Sequence, residues 1–171
     1  MELPLLKRNK AFTLIELMIS VTIIAIVSAG IIPAFSKYIR NQNLRQAQEQ
    51  LKSDLRSIQN KALTGALSDQ LVGTANMKYW GVKFINNSTD YQIFIAAVDT
   101  SCPDPIPPAQ FQGSEGFSDS ITVRSATGCI FFDVSDGGIS GYVSPITLGY
   151  SDSELRSVIF ISTGLIYSTN D

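Results

Sequence analysis

A run of 26 residues from Ala11 to Ser36 contains one charged side chain, Glu16. The stretch from Phe12 to Phe35 is long enough to cross a bilayer, which takes about 20 apolar residues of helix. A carboxylate near the middle of such a helix costs about 2.5–3.5 kcal/mol on insertion scales. Glu16 therefore asks for a partner. The candidate is a positive charge on a neighbouring copy in a polymer; the alternative is a side chain that snorkels alone toward the headgroups. A basic leader, Lys7-Arg8-Asn9-Lys10, precedes the run and sets its N-terminus inside by the positive-inside rule, although Lys37 and Arg40 flank the far end. An ordinary secretory signal has a shorter apolar stretch, about 7–15 residues, before a small-residue cut. Ser28-Ala29-Gly30 offers such a cut, but the run continues through Ile31 and Ile32, so an anchor is the better reading.

Charge divides the rest of the chain. Residues 37–61 carry six cations against two acids; from Ala62 onward there are four cations against eleven acids. A basic stem thus leads into an acidic head. A head of that sign repels phosphate and disfavours nucleic acid as its ligand. The chain has no histidine, which removes the commonest general base and metal ligand and rules out a Ser-His-Asp triad. Cys102 and Cys129 both fall in the head. In an exported domain an even count reads as one disulfide, the alternative being two separate buried thiols. Two cysteines alone make no structural zinc site. Asp133 and Asp136 beside Gly137-Gly138 could hold calcium through oxygen ligands, but an Asp-Gly turn is the simpler reading. No catalytic set, cofactor site or metal site is expected.

The segment Lys7-Arg8-Asn9-Lys10-Ala11-Phe12-Thr13-Leu14-Ile15-Glu16-Leu17-Met18-Ile19-Ser20-Val21 resembles the processing segment of type IV prepilins and type II secretion pseudopilins. In that family a membrane aspartyl peptidase cuts on the cytoplasmic side of the apolar run and methylates the new amine. Carried onto this chain, the resemblance implies a cut between Ala11 and Phe12, with Phe12 N-methylated. It also makes Glu16 the assembly glutamate and Pro33 the helix-bending proline. The family usually has glycine before the cut, where this chain has Ala11. An α-amine is largely protonated at neutral pH, so the amine of Phe12 on one subunit can meet Glu16 of the next. That pairing gives registry more than net stability, because both charges are desolvated.

Beyond Pro33 the pattern changes. Leu44, Ala47, Leu51, Leu55, Ile58 and Ala62 recur at three- and four-residue steps, one face of an amphipathic helix. The expectation is one helix from Phe12 to Leu63, roughly 75 Å at about 1.5 Å per residue, stopped at Thr64-Gly65. Pro33 would kink it or melt it locally. The stripe would pack on the head. The basic outer face would be solvated or meet acidic heads of neighbours.

The head reads as short strands and turns. Lys78 to Ile85 alternates polar and apolar residues and returns through Asn86-Asn87-Ser88-Thr89 into Tyr91–Ala96, a hairpin. Cys102 to Gly116, with Pro103-Asp104-Pro105-Ile106-Pro107-Pro108, reads as an irregular loop, exposed for a partner or simply solvated. Further strands are expected at 121–123, 129–134, 142–143 and 146–148, with a closing hairpin of 156–161 and 165–167 around Thr163-Gly164. Pro145 suggests an edge or a break. Trp80 is expected in the core.

These readings give an α+β protein, one long N-terminal helix packed on a C-terminal antiparallel β-sheet head. Its domains are a removed leader (1–11), a membrane or filament-core helix (12–36), an amphipathic stem (37–64) and a β-rich head (65–171). The head is most similar to H-type minor pseudopilins. The likeness rests on Leu51-Lys52-Ser53-Asp54-Leu55-Arg56-Ser57, on Trp80-Gly81-Val82 and on Phe160-Ile161-Ser162-Thr163-Gly164-Leu165-Ile166. Some relatives of that subtype bind DNA through basic loops, a role the acidic head argues against. The resemblance implies a structural subunit, a minor one, of a type IV pilus or type II secretion pseudopilus, and not an enzyme. Its partners would be the prepilin peptidase/methyltransferase, other pilin or pseudopilin subunits and the membrane. It would be stored single-pass in the cytoplasmic membrane with its head outside the cytoplasm, then moved into a filament in the periplasm or at the cell surface. The alternatives are a tip module that recognises a surface, secreted cargo or DNA and, more remotely, a membrane-anchored enzyme.

Overall fold

The computed structural model describes residues 12–65, 77–118, 120–141, 145–151, 154–161 and 166–169. Helix α1 spans Leu14–Leu63. It closes at Gly65, whose φ of 62° is the left-handed conformation that glycine adopts without steric cost. The Gly65 N–H donates to the Ala62 carbonyl at 3.0 Å. The helix is uninterrupted at Gly30 and Pro33, so the local melting considered at Pro33 does not occur. The chain divides into two compact units, Met1–Ile39 and Arg40–Asp171.

Among the described residues of the second unit, nine strands form two antiparallel sheets. Sheet 1 contains β1 (Tyr79–Phe84), β2 (Asp90–Ala96), β3 (Phe111–Gly116), β5 (Gly128–Asp133) and β6 (Ile139–Gly141), in the order β3-β2-β1-β5-β6. Sheet 2 contains β4 (Thr122–Val123), β7 (Ile146–Ser151), β8 (Glu154–Phe160) and β9 (Ile166–Thr169), in the order β4-β7-β8-β9. The antiparallel β-head expected from sequence is thus built of two sheets. The Asn87 N–H donates to the Val123 carbonyl and the Val123 N–H to the Ser88 carbonyl, tying β4 to the β1–β2 turn.

The helical stripe is buried as its spacing required. Leu44, Ala47, Leu51, Leu55, Ile58 and Ala62 join one core with Trp80, Val82, Phe84, Ile93 and Phe132 of sheet 1 and Val123, Ile146, Leu148, Val158 and Ile166 of sheet 2. Polar ties accompany the packing. Gln48, buried on the same face, donates through Nε2 to the carbonyls of Ser157 at 2.7 Å and Thr169 at 2.8 Å. The buried Tyr91 hydroxyl donates to Asp54 at 2.7 Å. Lys61 lies 5.7 Å above the ring of Trp80, a cation–π contact.

Three sequence readings need correction. Phe111–Gly116, taken as the end of a loop, is strand β3; its two glycines and exposed side chains hide it, yet its backbone pairs with β2 from Asp90↔Gly116 to Phe94↔Phe111. Ile139–Gly141 pairs with β5 directly after the 135–138 turn, a strand that the sequence reading passed over. The alternation along β1 does not mark a wet face: every residue from Trp80 to Phe84 is buried, Lys83 included. The strand expected at 142–143 and the turn at Thr163-Gly164 lie outside the described residues.

Candidate assembly site and the outer face of the head

Ala11 and the leader lie outside the described residues, which begin at Phe12. Glu16 stands in the first turn of α1. Its N–H donates to Thr13 Oγ1 at 3.3 Å, so Thr13 is the N-cap and Glu16 occupies the third helical position. Thr13-Leu14-Ile15-Glu16 spells the capping-box pattern, a signal present in the sequence that the membrane argument passed over. A carboxylate there also faces the positive end of the helix dipole. Part of the cost of Glu16 is thus offset inside its own helix.

Three hydroxyls of the apolar half are satisfied within the helix. Ser20 donates to the Glu16 carbonyl at 2.8 Å, Thr22 to Met18 at 2.8 Å and Ser36 to Ile32 at 3.1 Å. Such back-bonding hides polar atoms from hydrocarbon. The large apolar side chains described there are exposed: Phe12 is 80% exposed and Leu14 78%. Among the described residues α1 is the one helix long and apolar enough to cross a membrane.

The stem's basic face is largely used within its own chain. Arg40 lies 3.4 Å from Glu154, and Lys52 lies 3.0 Å from Glu49. Arg56 donates to the Ile166 carbonyl at 3.1 Å. The Lys52 hydrogen bond holds the Glu49 carboxyl below its usual range.

In the head, Cys102 and Cys129 are disulfide-bonded, with Cα atoms 5.4 Å apart. Asp133 accepts from the Ser135 hydroxyl at 2.6 Å and its N–H at 2.7 Å, which holds its pKa below the usual carboxylate value. Asp136 accepts from the Gly138 N–H at 2.7 Å. Both carboxylates serve the turn itself, and no group of three or more His, Cys, Asp or Glu among the described residues could hold a metal.

Sheet 1 buries a second, smaller cluster on the face away from the main core: Phe94, Ala96, Cys129 and Phe131, with Tyr79 and Ile106 against them. Phe131 meets Phe94 and Tyr79 edge-on, at 5.8 and 6.2 Å between centroids. Gly81 is required there, since a Cβ would stand 2.3 Å from the Phe94 ring.

Residues 6–32 match the family model "Prokaryotic N-terminal methylation motif". The match supports a type IV pilin-like or pseudopilin subunit and implies processing by a prepilin peptidase and assembly with other pilin subunits. With the apolar half of α1 it is consistent with membrane anchoring. No curated protein and no solved structure matches the chain.

Proposed function

We propose that the protein is a minor structural subunit of a type IV pilus or type II secretion pseudopilus. It is stored in the cytoplasmic membrane with its head outside the cytoplasm and polymerised through the apolar half of α1. The observation that carries this reading is the methylation motif over residues 6–32. Its geometry suits the role: the motif leads into the apolar half of α1, whose described large apolar side chains are exposed. Cleavage falls between Ala11 and Phe12, Phe12 is N-methylated, and its amine pairs with Glu16 of a neighbouring subunit. The small side chain of Ala11 serves where relatives use glycine. The subtype most like the head is the H-type minor pseudopilin. The test is intact mass and N-terminal sequencing of the protein from cells with and without a prepilin peptidase. A peptidase-dependent start at N-methylated Phe12 is expected; a start near Gly30 overturns the reading.

A further inference from the structure

Residues 97–110 leave sheet 1 at the end of β2 and rejoin it at the start of β3, with no helix or strand between. A connection of that length in a compact domain is uncommon and is usually functional or disordered. Here it lies across the second aromatic cluster; besides the Ile95 N–H bond to the Gln110 carbonyl at its β3 end (2.9 Å), it is held at three points. Cys102 is bonded to Cys129 of β5. The Lys83 ammonium of β1 donates to the Pro103 carbonyl at 2.7 Å and to Asp104 at 2.9 Å. Ile106 packs on the cluster of Phe94 and Phe131.

The three points differ in strength. In the ion pair and in the disulfide alike the sheet supplies the buried member and the strap the exposed one: Lys83 is 3% exposed and Asp104 85%, and Cys129 is buried while Cys102 is exposed. When the strap lifts, Lys83 exchanges its contacts with Pro103 and Asp104 for water, so their net contribution is modest, and Ile106 is only partly buried. The covalent bond, which closes a segment with a sequence separation of 27 residues, is the dominant restraint.

We propose that residues 97–110 are a clasp that stays shut over the outer face of sheet 1 only when Cys102 and Cys129 are joined. Thiol oxidation is then the step that seals this face. As the S–S bond forms, the two thiols release two protons and two electrons. The electrons reduce an external disulfide by thiol–disulfide exchange through a mixed disulfide. Cys102 is the sulfur placed where such a reagent can reach it. That the step occurs outside the cytoplasm rests on the functional reading above; the clasp itself does not.

The test is hydrogen exchange followed by mass spectrometry on the full chain in detergent micelles, oxidised and after complete reduction by a phosphine. Reduction is expected to speed exchange at Ile95, Gln110 and Phe111, whose N–H groups donate to strap carbonyls, at least tenfold while β7 and β8 change less than twofold. Unchanged exchange at these amides overturns the proposal, and so does equal acceleration of both sheets, which would make the bond a staple for the whole head. Cys102→Ser should reproduce the reduced pattern without reductant. Lys83→Met in the oxidised chain should speed exchange at the same amides less than threefold; an effect as large as that of reduction would assign the closure to the ion pair and overturn the proposal. Failure to find a start at Phe12 would remove the functional reading and leave this result standing.

Discussion

From Leu14 to Ile39 helix α1 presents leucine, isoleucine and valine around its circumference, and apart from half-buried Ser28 its described side chains are exposed; from Arg40 to Leu63 it presents one apolar stripe, and that stripe is buried. The backbone is the same throughout. The first half is apolar on all sides and needs an apolar surrounding from outside the chain, a bilayer or neighbouring helices. The second half confines its apolar residues to one face and finds that surrounding in its own head. Substitutions in the two halves should therefore be read by different instruments, assembly for the first and unfolding for the second.

The largest effect is expected at Glu16. Glu16→Ala should leave membrane insertion intact and reduce incorporation into filaments more than tenfold, scored by immunoblotting of sheared filaments against membranes; normal incorporation would defeat the pairing. Next comes the stripe. Leu55→Ala should destabilise the head by about 2–5 kcal/mol, the usual range for a buried leucine, whereas Leu17→Ala should shift it by less than about 0.5 kcal/mol. Denaturant unfolding of the detergent-solubilised chain measures both, and equal shifts would erase the distinction between the halves. Gln48→Ala strips the donor from two carbonyls and should cost about 1–3 kcal/mol in the same assay.

The smallest effect concerns Tyr91. Burial, then its hydrogen bond to Asp54, pushes its pKa well above the ordinary tyrosine value. The neutral form is therefore the one the fold holds. Its contribution is complete below about pH 10, the unfolded value, and is lost as the pH rises toward the folded value, because the unfolded chain ionises first. Stability should fall between pH 10 and 11, and Tyr91→Phe should flatten that fall; a mutant with the same alkaline slope would refute the assignment.

The stripe from Leu44 to Ala62 was legible because helical periodicity reports which side of a helix is covered. So were the β1–β2 and β8–β9 pairings, whose strands are rich in β-branched and aromatic residues. Gln48 was missed because a polar residue on an apolar face shows its hydrogen bonds only once Ser157 and Thr169, more than a hundred residues away, are in place. Burial of Lys83 was hidden for a related reason: alternation along β1 says that two faces differ, not what lies over the second one. The strap that covers it is rich in proline and polar residues, a composition shared with solvated loops. Strand β3 owes its existence to backbone pairing with β2, to which its side chains contribute almost nothing.

Trp80 is the only tryptophan in the chain, and it sits where the end of the stem meets sheet 1, beneath Lys61. Emission excited at the red edge of the aromatic absorption band, where only tryptophan absorbs, therefore comes from a single emitter at one junction. A red shift would announce that the stem has lifted from the head, and no label is needed to see it.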